Sequence, residues 1–228
     1  MGGVDKPALI VADEPMLVSV ARAAAAAGTR RLIVVGPRRE GAVLEALTTV
    51  ADGARGGVSD GSRGGVADSV PAGVADGVRA RVPDGLRFAR EEPPGAGPVA
   101  ALRSGVGQVT APWLALLAAD LPFLLGEQLT DLFGQALGAG RAGAVLADAE
   151  GRPQWLAGGW QSDVLRAALQ DYHGTSLHGL LAPLEPAAVQ PAGRDEGFAP
   201  WLDCDTPADV TAARKSWQLR GTGAIGDS

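Results

Sequence analysis

Asp120 closes WLALLAAD, the most continuous apolar run of the sequence. A carboxylate in that position must be solvated, paired or bound to a cation. It can also cap the Asp-Leu-Pro turn that follows. Asp203 and Asp205 flank Cys204 in LDCDTP, and on a strand this alternation would put both carboxylates on one face. Such acids, arriving at the same sheet edge as Asp120, could hold a hard cation such as Mg2+. They equally suit a polar lead-in to the final helix. The opening residues MGGVDK offer the opposite charge. Gly2 and Gly3 would let backbone amides approach phosphate closely, with Lys6 as a point charge on it. The phosphate-loop pattern G-x-x-x-x-G-K-[ST] is absent, so taken singly the run also reads as a loose terminus with a solvated lysine.

Other chemistries find less support. The one cysteine, Cys204, stands far in sequence from His173 and His178, the only histidines, and no spacing nominates a thiolate pair. A lone cysteine excludes a disulfide within the chain and points to a reducing, cytoplasmic setting. The formal net charge of -6 and pI near 4.9 argue against broad nucleic-acid binding, which needs a basic face, while leaving room for a local basic pocket. No stretch approaches the roughly 20 apolar residues of a membrane span, and the first residues lack the basic and apolar regions of a signal peptide.

Something must position these side chains. The 228 residues, 46% hydrophobic but only 4% aromatic, suit one α/β domain with a core of Ala, Val and Leu. A helix is predicted over 13–27, capped by Asp13 and ended by Gly28, followed by a strand in RRLIVVG and a helix over 38–50. Residues 51–85 repeat a Gly-Val-x-Asp-Gly theme without helical or strand period and read as a disordered insertion. Strands are then predicted in LRFARE, WLALLAAD, AGAVLAD, RPQWLAGGW and WLDCD. Helices are predicted after the Pro/Gly loop EEPPGAGP and in EQLTDLFGQAL, SDVLRAALQ and SLHGLLAPL. A last helix is predicted behind Thr206, with Thr206 as cap, Pro207 at the first position and Asp209 three residues after the cap. Residues 220–228 read as a flexible tail and 1–219 as one domain. Alternating strands and helices imply an α/β fold with a mostly parallel sheet covered by helices on both faces, whose sites lie at the carboxyl ends of the strands. That places a site after LIVVG, after LLAAD and around LDCDTP.

GGVDKPAL, REEPPGAGPVAAL, LLAADLPFL and LDCDTPADV occur in that order. Their order and spacing resemble the molybdenum cofactor guanylyltransferases, within the larger nucleotidyltransferases of the nucleotide-diphospho-sugar transferase type, a three-layer Rossmann-like fold. RPQWLAGGW and SLHGLL resemble the second half of that family. The resemblance covers nearly all of the chain outside 51–85 and the tail. It implies transfer of a guanylyl group from GTP to a phosphate of a molybdopterin-type cofactor, with Mg2+ and release of pyrophosphate. It also leaves room for transient contact with cofactor-handling or molybdoenzyme partners. By matched position it implies Lys6 and Asp120 as the catalytic pair. Gly2, Gly3, Lys6, Gly95, Gly97, Pro98 and Asp120 become nucleotide contacts, and Asp120 with Asp205 (Asp203 as the alternative) metal ligands. Another Mg2+-dependent nucleotidyltransferase of the same fold, using CTP or acting on a sugar or alcohol phosphate, stays open. So does a truncated, non-catalytic nucleotide-binding protein.

Three departures stand out. The family's run resembles LAGGxSxRMGG.DK behind an apolar strand, and Met1 falls where the internal methionine of that run would be. The resemblance therefore predicts a native start upstream of Met1, carrying a central strand and the first glycine pair. Glu91 stands where the family often has aspartate, and Trp155 where a proline is usual after glutamine.

Overall fold

The structure is a computed structural model and describes residues 5–56, 85–191 and 199–223. Of the run 51–85 expected to be a disordered insertion, residues 57–84 lie outside the described residues, as do Gly2 and Gly3, while 51–56 are helical, continuing the helix before them.

The chain enters through a 3-10 turn at Lys6–Ala8 and a small antiparallel hairpin, β1 (Ile10–Val11) and β2 (Glu14–Pro15). Ala12 and Asp13 take left-handed conformations, φ 55° and 66°, to make its turn. This corrects the predicted helix over 13–27. Asp13 tolerates the left-handed region, and Pro15 disfavours helical backbone at Glu14. Helix α1 therefore starts at Met16 and runs to Ala26, with Gly28 at φ 87° closing it as expected.

Strand β3 (Leu32–Val35) follows, then α2 (Gly41–Gly56). The helix predicted over 38–50 is thus shifted. Gly36 (φ 137°) and Gly41 (φ 56°) bound a loop that keeps Arg38, Arg39 and Glu40 out of the helix, and the helix runs six residues past Val50. Strand β4 (Leu86–Ala89) pairs parallel with β3, Leu32 facing Leu86 and Val35 facing Ala89.

Helix α3 (Pro98–Val106) leads to β5 (Trp113–Leu117), α4 (Gly126–Gly138), β6 (Gly143–Ala147) and β7 (Pro153–Gln161). Then come α5 (Ser162–Asp171), α6 (Leu177–Leu181), β8 (Ala187–Val189) and α7 (Pro207–Gly223). Strand β8 is three residues between prolines, too short to leave a period in the sequence. The strand predicted in WLDCD does not form; the chain is irregular there. Helix α7 continues to Gly223, into the segment expected to be a tail.

The order β5-β7-β6-β8 makes one sheet. Strands β5, β6 and β8 share a direction, and β7 alone is reversed, antiparallel to both neighbours. The reversal is local. The tight connection after β6 is held by Asp148 Oδ1, which accepts from the backbone N of Glu150 and Arg152, with Gly151 at φ 81°. A connection this short can only join antiparallel strands. Among the described residues, no ladder joins β3 to β5.

Alternate strand residues face opposite layers. Ala144 and Leu146 of β6 join a core with Leu17, Leu47 and Leu132, under α1, α2 and α4. Val145 faces the other way, with Leu102, Trp160, Leu165 and Leu181, under α3, α5 and α6. The molecule is therefore a three-layer α/β/α fold with helices on both faces. The pair Gly158-Gly159 answers to packing: a Cβ on Gly159 would lie 2.7 Å from Phe133 Cε1, and one on Gly158 2.9 Å from Ala144 O. A third, smaller core gathers Val11, Met16, Phe123, Cys204, Val210 and Ala213 between the hairpin and α7.

Candidate active site

The charged groups come from three separate segments of the chain. Lys6 stands in the 3-10 turn, whose last residues lead into the hairpin. Asp120 lies in the turn after β5. Asp203 and Asp205 precede α7, whose start is fixed by a reciprocal cap: the Thr206 N and Oγ1 donate to Asp209 Oδ2 at 2.7 Å, and the Asp209 N donates to Thr206 Oγ1 at 3.2 Å. Clamping Thr206 holds Asp205 beside Lys6, whose Nζ donates to Asp205 Oδ1 at 2.9 Å.

Lys6, Asp120, Val35 and Ala119 line one cleft of about 390 Å³ with Asp5, Pro37 and Arg39. The cleft thus opens where the carboxyl ends of β3 and β5 meet, at two of the three places expected from the strand pattern. The charges in it feel one another. The hydrogen bond from Lys6 to Asp205 holds the ammonium above its ordinary pKa, with Asp120 and Asp203 adding. Burial pushes the Asp120 carboxyl up; its own backbone hydrogen bond opposes this, the Asp205 charge adds to it and the Lys6 charge offsets part. Asp203 is raised for the same first reason, with Asp205 and Asp120 next. Cys204, between the two acids, is buried, and its thiol is pushed up to about 11, chiefly by burial. It is a core residue.

Among the described residues, no three His, Cys, Asp or Glu side chains gather into a metal cage. Asp120 with its acidic neighbours still fits a Mg2+ site of the open kind, in which one or two carboxylates hold the ion and substrate phosphates complete the shell. Asp120, Asp203 and Asp205 stand around the one ammonium of Lys6, and Asp5 already answers the guanidinium of Arg39, which leaves negative charge for a cation to neutralise.

Gly95, Gly97 and Pro98 line neither this cleft nor the adjoining one. Their loop is nonetheless built: Glu91 Oε1 accepts from Gly95 N at 2.7 Å, Gly95 and Gly97 have φ 79° and 93°, and Gly97 is the cap residue before Pro98. Glu91 thereby gains a role, bracing this loop. Trp155, the other departure, meets His178 edge-on with ring centroids 5.5 Å apart. Sequence reasoning missed Arg39, which lines both clefts; its assignment to a helix hid it.

The family model for the MobA-like NTP transferase domain matches residues 1–189. The chain belongs to that family. As a MobA-like NTP transferase domain it is a nucleotidyltransferase. No curated protein matches its sequence. Its fold is similar to molybdopterin-guanine dinucleotide biosynthesis protein A from Archaeoglobus fulgidus, at 14% identity and TM-score 0.57, covering 95% of this chain and 92% of that one. A Methanothermobacter nucleotidyl transferase is similar at 18% identity and TM-score 0.62, covering 95% and 87%. The 2-C-methyl-D-erythritol 4-phosphate cytidylyltransferase from Thermus thermophilus is similar at 14% and 0.53, covering 93% of each chain. At these identities the likeness is one of fold. No helix among the described residues of this MobA-like domain is long and apolar enough to cross a membrane.

Proposed function

We propose that this MobA-like domain transfers GMP from GTP to the phosphate of a molybdopterin-type cofactor, in the cytoplasm. An oxygen of the acceptor phosphate attacks the α-phosphorus, the bond from that phosphorus to the bridging α–β oxygen breaks, and pyrophosphate leaves with the electron pair. No proton need be moved by a side chain, which agrees with a cleft lined by no histidine. The difficulty is electrostatic: an anion must approach an anion, and charge grows on the departing pyrophosphate.

The observation that carries the reading is that Lys6, which is paired with Asp205, lines one cleft with Asp120. Lys6 exchanges Asp205 for a phosphate oxygen and steadies the leaving group. Asp120 and Asp205, with Asp203 as the alternative to the latter, would hold Mg2+, which when bound neutralises charge on the phosphate oxygens. Gly95, Gly97 and Pro98 shape the loop on which the nucleoside rests, and Gly2 and Gly3 supply backbone amides to phosphate. GTP and the cofactor acceptor rest on the resemblance to the molybdenum branch.

A second reading has a specific support: a UDP-glucose pyrophosphorylase is as similar in fold, at 14% identity and TM-score 0.59, as the molybdopterin protein. It makes this chain a transferase to a sugar or alcohol phosphate. One assay separates them. Labelled pyrophosphate release is followed from each of the four nucleoside triphosphates, with Mg2+ and with molybdopterin, a sugar phosphate or an alcohol phosphate. Release from GTP that needs molybdopterin is expected. Release from CTP or UTP with a sugar or alcohol phosphate sinks the guanylyl reading, and no release from any nucleotide sinks both.

A further inference from the structure

Arg39 is the least exposed charged residue at the site, with 9% of its side chain exposed. It stands in the loop between β3 and α2 and lines two clefts. One is the cleft of Lys6 and Asp120. The other, of about 680 Å³, is bounded by Asp5, Ala8, Pro37, Arg38, Glu40 and Val43. Its Nη1 donates to Asp5 Oδ2. Its Nε is buried and has no hydrogen-bond partner. A buried guanidinium N–H without an acceptor is costly, and because the side chain lines both clefts its planar fork suits a phosphate oxygen.

The two cations of the site are treated alike. Lys6 rests on Asp205 and Arg39 rests on Asp5, and Asp5 and Lys6 are adjacent in the chain. We infer that Arg39 is a second cationic contact for the polyphosphate of the nucleotide, and that Asp5 is the counter-ion phosphate must displace from it. The inference rests on the nucleotidyltransferase reading. It adds to that reading a residue no motif marks, together with a competing carboxylate that sets how tightly polyphosphate is held.

The contrast between two variants tests it. If Arg39 only pins Asp5, then Arg39→Gln and Asp5→Asn break the same bond and change pyrophosphate binding alike. If Arg39 meets phosphate, the two act in opposite directions. Binding of inorganic pyrophosphate with Mg2+ is measured by calorimetry on the whole chain, and melting curves verify that each variant is folded. Arg39→Gln should weaken binding by roughly tenfold to a hundredfold, the scale of a lost charge-assisted hydrogen bond. Asp5→Asn should tighten it, and Arg39→Lys, which keeps charge without the fork, should fall between wild type and Gln. If Arg39→Gln does not fold, Arg39→Lys and Asp5→Asn carry the test.

Equal effects of Asp5→Asn and the Arg39 variants overturn the inference. So does an Arg39 variant that raises KM for the acceptor alone and leaves pyrophosphate binding unchanged. Pyrophosphate binding lost in Lys6→Ala but intact in both Arg39 variants overturns it while leaving the nucleotidyltransferase reading standing. Wild-type protein that neither binds pyrophosphate nor releases it from any nucleotide overturns both.

Discussion

Burial is the largest influence on Asp120, and it raises the carboxyl's pKa above 3.8. The sign matters for stability. Between 3.8 and the raised folded pKa the unfolded state has already lost its proton while the native state keeps it, so Asp120 subtracts from stability as pH rises through that window, and the loss is complete above it. Asp120→Asn should therefore melt higher than wild type at neutral pH. The difference should shrink as pH falls and vanish below 3.8, where both states of the wild type are protonated. The same variant should lose about a hundredfold or more in turnover, the order expected when several kcal/mol of charge stabilisation are removed. A variant that melts lower at neutral pH, or keeps substantial activity, is against a carboxylate held here for chemistry. Cys204 gives the opposite case, a residue kept for packing. With its thiol at about 11, the thiolate is scarce at about pH 8. The folded protein should resist a thiol-alkylating reagent at that pH and react fully once unfolded, as followed by mass; rapid labelling of the native protein would contradict the assignment.

At the scale of elements, α7 decides whether the acids at 203 and 205 reach the cleft. Its cap couples Thr206 to Asp209, and its far turns hold the N-terminal hairpin: Arg214 Nε donates to Ile10 O at 2.8 Å, and Trp217 Nε1 to Asp13 Oδ2 at 2.9 Å. Thr206→Ala should cost about 1 kcal/mol, the usual worth of a cap, and should raise KM for nucleotide by loosening Asp205. Denaturant titration and initial rates read the two effects. The hydrogen bonds from Thr206 hold the Asp209 carboxyl below its ordinary pKa. That contribution is present above 3.8 and lost as pH falls through the lowered value, so wild type and Thr206→Ala should converge in stability in acid. This cap was legible in the sequence because Thr-Pro-x-Asp is a local rule. So were Gly28 and the strands of β3, β4, β5, β6 and β7, whose apolar runs decide their own conformation. What was hidden is what depends on distant partners. Asp13 reads as a helix cap until Trp217, 204 residues away, takes its carboxylate. Arg39 reads as the first turn of a helix until Gly36 and Gly41 place it in a loop. WLDCD reads as a strand, but no described neighbour offers it a ladder. Only the resemblance, not any spacing, brought Lys6 and Asp120 together before the fold did.

The whole molecule is acidic, with a formal net charge of -6, yet it points two cations into one cleft, each countered by a carboxylate. An anion alone meets a repulsive field there, and a dication alone meets the ammonium and guanidinium charges. Together they satisfy both sets. Mg2+ and pyrophosphate should therefore bind cooperatively, and binding to the native state alone raises stability by mass action. At roughly a hundredfold excess over Kd the gain is about 2.7 kcal/mol, a rise in Tm of about 5–10 °C for a chain of this length. Thermal melts with Mg2+ alone, pyrophosphate alone and both should show that rise only with both. Removal of the ion with a chelator should reverse it, and Asp120→Asn, though more stable by itself, should lose the increment. Equal rises with pyrophosphate alone, or an increment that survives Asp120→Asn, would mean that the carboxylates at the end of β5 and before α7 do not act with a metal. The acids would then serve as counter-ions to Lys6, and charge neutralisation of the phosphates would fall to Lys6 and Arg39 alone.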